Sequence, residues 1–133
     1  MSDNSIDFHL LFSRDKLDTL FPLERSNQFF EALFGDSDEG AYDIRLVFKD
    51  HQVRTLLFEL ELHQRPGKCL ACNLTYGLPK VFARHPIIDI EGLVSRLVQL
   101  LDGRVQCNAW QLGRVREVSP QLHVIPLMID LDR

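Results

Sequence analysis

Apolar residues alternate most regularly between Val53 and His63. Leu56, Phe58, Leu60 and Leu62 fall on one side of the chain, and Leu57, Glu59, Glu61 and His63 on the other. A period of two marks a strand with one face buried. A shorter alternation, Ile44, Leu46 and Phe48 with Arg45 and Lys49 between them, predicts a half-buried strand just before it, joined through the polar Asp50-His51-Gln52. Pro66-Gly67 suits a type II turn, because proline fixes φ and glycine supplies the positive φ that follows. Beyond the turn, Leu70, Cys72, Leu74 and Tyr76 share one face of a third strand, and Cys69, Ala71, Asn73 and Thr75 the other. Pairing Leu62 with Leu70, Leu60 with Cys72, Phe58 with Leu74 and Leu56 with Tyr76 keeps one face apolar, since a slip of one residue would mix the two sets. That register sets His63 beside Cys69 and Glu59 beside Asn73. It requires a wide loop or bulge over Gln64 to Lys68.

A helical period governs the other segments. Ser13 can cap a helix over about Asp15 to Leu20, and Pro22 fits the first turn of a second helix over about Leu23 to Phe34. Phe29, Phe30, Leu33 and Phe34 form its expected apolar stripe, and Gly35 its C-terminal stop. The acidic loop Asp36 to Gly40 carries turn residues. Pro79 opens a short helix through Arg84, with Pro86 as its breaker. Asp89 caps a longer helix over about Ile90 to Leu101, with Gly103 beyond its end. Two further strands are expected, over about Val105–Leu112 and Leu122–Leu131, and Pro126 gives the last one an edge position or a bulge. The order is α-α-β-β-β-α-β-β. The fold class is α+β, an antiparallel sheet of about five strands with helices on one face.

The 133 residues suit one domain spanning 1–133, large enough to bury a core without staples. Charged residues make up 26%, and the formal net charge of -4 argues against general binding to nucleic acid. No apolar run approaches the roughly 20 residues that cross a bilayer, so no membrane partner is expected. The first residues, MSDNSIDFHLLF, have no basic region before their short apolar run, unlike a signal peptide. Three cysteines are too few for a secreted disulfide framework, and the expected setting is a reducing cytoplasm with free thiols.

The conventional site motif is Cys69-x-x-Cys72. Zinc-bound sulfurs must lie within about 2.3 Å of one ion, whereas residues three apart on a strand point to opposite faces. This reading sends Cys72 into the core and Cys69 outward. A zinc set of Cys69, Cys72 and Cys107 with His63 or His85 stays formally open, as does a thiol-redox role. No cofactor is expected. A second cluster is basic: Arg65, Lys68, Lys80, Arg84 and His85. If the Gln64–Lys68 loop and the segment ending at His85 meet at one end of the sheet, they could hold a carboxylate or phosphate; otherwise they form a solvated rim. No catalytic residue set is predicted. A His63–Cys69 pair lacks a third orienting group, Glu59 and Glu61 are expected to be solvated, and His9, His51 and His123 stand apart. Trp110 is either a packing residue or a contact anchor.

The run HQRPGKCLACNLTYGLPKVFARHP, with LHVIPL near the end, resembles a small family of bacterial proteins. Some of its members carry a "pancreas/duodenum homeobox" label. The resemblance covers most of the chain from about Phe21 and implies no particular activity. A homeodomain needs a basic recognition helix and a basic minor-groove arm, and strands are expected here where that helix would lie. In layout the chain is also similar to small acidic secretion chaperones, with no shared motif. The leading expectation is a non-enzymatic cytoplasmic domain that binds a protein partner or itself, with Leu122–Leu131 as a possible open edge. The alternatives are a small anion binder using the basic cluster, and a zinc or thiol-redox protein.

Overall fold

A computed structural model describes residues 8–70, 78–101 and 106–132. Three helices come first: α1 (Phe8–Leu11), α2 (Arg14–Leu20) and α3 (Glu24–Phe34). Ser13 caps α2 through the Lys16 N–H, and Gly35 ends α3 with φ 80°. A 3-10 turn over Ser37–Glu39 leads into strands β1 (Tyr42–Gln52) and β2 (Thr55–Gln64). Helices α4 (Leu78–Arg84) and α5 (Ile90–Gln99) follow, then β3 (Gln106–Leu112), β4 (Arg116–Ser119) and β5 (Leu122–Asp132). Asp89 caps α5 by accepting the Gly92 N–H, from a left-handed backbone with φ 50°.

The five strands form one antiparallel sheet in the order β1-β2-β5-β3, with β4 also pairing β5. Alternation sorts its two faces. Ile44 and Leu46 of β1, Leu56, Phe58, Leu60 and Leu62 of β2, and Ile125, Leu127 and Ile129 of β5 are buried on one side. The helices supply Leu17, Phe29, Phe30, Phe82, Leu93, Val94 and Leu97 to the same core, and the residues just past α1 and α2 supply Phe12 and Phe21. At about 25 cal/mol per Å² of apolar surface, this continuous cluster is the main stabilising contribution. The α+β class, the five antiparallel strands and the helices on one face match the sequence reading.

Three expectations are corrected. First, β2 is flanked by β1 on one side and β5 on the other, so Leu62 lies opposite Ile44 and His123. No side of β2 is left for the expected hairpin with Leu70–Tyr76. Residues 71–77 themselves, with Cys72, lie outside the described residues, as does Gly103. Second, β5 is not an edge. Pro126 sits inside the sheet opposite Glu59, in unbroken register with β2. The Gly113 N–H donates to the Pro126 carbonyl at 2.8 Å, but proline has no N–H to return. The ladder stops there, which separates β3 from β4. A side chain at Gly113 would also meet the Pro126 ring at 2.8 Å. Third, Leu33 and Phe34 are 45% and 56% exposed rather than buried. Ser26 reaches Ile44 and Phe30 reaches Tyr42, so α3 runs toward the start of β1 and its last turn overshoots the sheet.

Candidate functional site

The Pro66-Gly67 turn has the expected form. Gly67 has φ 76°, and the Lys68 N–H donates to the Arg65 carbonyl at 3.1 Å. The Arg65 side chain, 15% exposed, turns inward. It donates to Asp43 through Nε and Nη2, to Asn27 Oδ1 through Nη2, and to the Ser37 carbonyl through Nη1. The guanidinium also lies 5.4 Å from the Phe30 ring centre. Arginine's planar fork suits such a junction. Arg65 thus ties the turn, β1, α3 and the 3-10 turn together.

The other members of the basic cluster lie elsewhere. The side chains of Lys68, Lys80 and Arg84 make no hydrogen bond or ion pair among the described residues. His85 packs edge-on against Phe29 at 4.8 Å, and its Nδ1 accepts the Ile87 N–H. Among the described residues, no hydrogen bond or ring contact joins the Arg65 turn to the α4–His85 segment.

The cysteines depart from the expectation of free thiols. Cys69 is disulfide-bonded, whereas Cys107 is a free thiol. Burial, then the carboxylates of Glu91 and Asp130, push the Cys107 thiol pKa up. His63 does not lie beside Cys69 in the sheet. It stands opposite Asp43 and Leu122, and its Nε2 lies 2.9 Å from Glu61 Oε1. Among the described residues, no three His, Cys, Asp or Glu side chains come together as a metal site.

The face of the sheet opposite the helices is less solvated than expected. Glu59 is 8% exposed, bonded to Arg116 Nη2 at 3.0 Å and 3.9 Å from Lys49 Nζ. The reason is its place on a central strand, where long cationic side chains from both flanks cover it. On the helix-facing side, opposite Leu62, His123 is also buried, with Nε2 3.7 Å from Glu117 Oε1. Trp110 is half-buried, and its Nε1–H donates to Glu91.

The two edges of the sheet differ. Along β1, the buried Ile44 N–H donates to Ser26 Oγ at 2.8 Å, and Arg45 pairs with Asp18 of α2 at 3.2 Å. Helices α2 and α3 therefore cover part of this side, at Ile44 and Arg45. Strand β3 ends the sheet on the other side, and no described strand pairs with its outer edge. Its sequence, QCNAWQL, contains no charged residue. Because Gly113 points its N–H at β5, the period of two turns the backbone groups of Trp110 and Leu112 away from the sheet. Ala109 and Gln111 are exposed. The sequence reading found β3 but put the open edge on β5. The signal it lacked was strand order, which pattern does not encode.

Among the described residues, no helix is long and apolar enough to cross a membrane. Comparison with protein-family models, curated proteins and solved structures returns no match.

Proposed function

We propose that this chain is a non-enzymatic protein-interaction domain that accepts a strand from another chain along β3, in the first instance from a second copy of itself. The observation that carries this reading is the uncharged outer edge of β3, unpaired among the described residues. Unpaired ladder groups are a template for another strand, and natural sheets usually guard such an edge with charge, above all lysine. In this chain the guarding charges Asp43, Arg45, Lys49 and Asp50 fall on β1, the edge that α2 and α3 already meet at Ile44 and Arg45. On β3 they are missing, although 26% of the chain is charged. The bulge between Cys107 and Ala109 and the break at Gly113 confine the free segment to Ala109–Leu112. A short strand addition of this kind gives a reversible contact, on the order of micromolar in affinity.

Two copies related by a two-fold axis would pair β3 with β3 antiparallel and join the two sheets. Light scattering across a concentration series tests this, with Ala109→Lys/Gln111→Lys as the variant that charges the edge without touching the core.

A further inference from the structure

We infer that the strand received by β3 is the β3 of a second copy, held in one register, with Gln111 of each copy on the two-fold axis and facing its own symmetry mate. This rests on the reading of β3 as the binding edge and fixes which residues meet there.

The register follows from the direction of the backbone groups. Gln111 stands opposite Met128 and Leu112 opposite Leu127, and the Gly113 N–H donates to the Pro126 carbonyl. In an antiparallel ladder, hydrogen-bonded residues recur at every second position. Ala109, Gln111 and Gly113 therefore bond inward to β5, and Trp110 and Leu112 turn their N–H and C=O groups outward. The ladder shifts between Cys107 and Ala109, so the outward series ends at the bulge around Asn108.

Two antiparallel copies can bond only through outward residues. An axis through Trp110 would bond Trp110 to its own mate but set Leu112 against the bulged Asn108. An axis through Leu112 would set Trp110 against Arg114, beyond the break at Gly113. An axis through Gln111 pairs Trp110 of each copy with Leu112 of the other, and both outward residues of each strand are satisfied.

The side chains agree with that register. On the helix side, Trp110 lies opposite Ile129 and Leu112 opposite Leu127, and these in turn lie opposite Leu56 and Phe58. Each Trp110–Leu112 pair would carry those apolar rows from one sheet into the next, as aromatic and apolar cross-strand pairs do. Both residues are half-buried in the single chain and so keep apolar surface to cover. On the opposite side the exposed Gln111 meets Gln111, and each amide can both donate and accept across the axis. Ala109 meets Gly113, which has no side chain to obstruct it. No like charges are set opposite each other, because β3 carries none.

The test is cysteine cross-linking of the full chain in a Cys107→Ser background with copper phenanthroline as oxidant, read on non-reducing gels. Light scattering of the same samples before oxidation gives their mass. Facing residues at a non-hydrogen-bonded site have Cα atoms about 4.5 Å apart, within disulfide range. Gln111→Cys is therefore expected to give a covalent dimer. Ala109→Cys is the control, exposed on the same side of the strand. In this register it lies about 13 Å along the strand from its mate, too far to bridge. Pairing at the axis raises the effective thiol concentration, so Gln111→Cys should cross-link roughly tenfold or more faster than Ala109→Cys. Dimer mass without that excess overturns the register and leaves the β3 edge itself to the charged variant. Monomer mass throughout overturns both.

Discussion

The hydroxyl of Ser26 accepts a 2.8 Å hydrogen bond from the backbone N–H of Ile44, and both residues are fully buried. One side chain on α3 thereby satisfies a ladder group at the edge of β1. This bond covers part of the β1 edge, on the far side of the sheet from the β3 edge proposed for a partner. Ser26→Ala would strand the Ile44 N–H in the core. The expected cost is about 1–3 kcal/mol, read as a lower urea midpoint with an unchanged slope. An unchanged midpoint would mean that the edge is closed by something other than this hydroxyl.

Arg65→Lys should behave as a disruptive change despite its conserved charge. A lysine cannot reach Asp43, Asn27 and the Ser37 carbonyl together, as the arginine fork does. The expected loss is about 1–3 kcal/mol of stability. Lys68→Ala, one residue past the turn, should change stability by less than about 0.5 kcal/mol. Denaturant titration of the two variants side by side checks the contrast. Equal, small effects would return Arg65 to the set of cations available for a ligand.

Much of the fold could be read from the chain because single elements obey local rules. Ser13 and Asp89 cap the helices expected of them, and Leu56, Phe58, Leu60 and Leu62 share the buried face. What the pattern could not supply was which strand lies beside which. Alternation in Val53–His63 and again near Leu70 was compatible with a hairpin, but β2 fills its two sides with β1 and with β5 from nearly sixty residues later. The same non-local pairing buried Glu59 under Arg116 and moved the open edge from β5 to β3.

The thiols give a direct chemical check. With three cysteines, Cys69 in a disulfide and Cys107 free, denatured unreduced protein should titrate fewer thiols per chain than reduced protein, which should titrate three. In the native state Cys107 should react more slowly at pH 8 than a small unhindered thiol. Burial and the Glu91 and Asp130 carboxylates disfavour its thiolate, which is the reactive form. The rate should climb as the pH is raised through the elevated thiol pKa. Three thiols before reduction would remove the disulfide from the account.

The central claim is that β3 is the binding edge, and light scattering of the unmodified chain beside Ala109→Lys/Gln111→Lys tests it most directly. Both substituted side chains are exposed, so the variant should keep the wild-type unfolding midpoint to within about 0.5 kcal/mol. The unmodified chain is predicted to move from monomer to dimer mass as its concentration passes through the micromolar range, and the charged variant to stay monomeric. A chain that is monomeric at several hundred micromolar, or a variant that dimerises as the parent does, would contradict it.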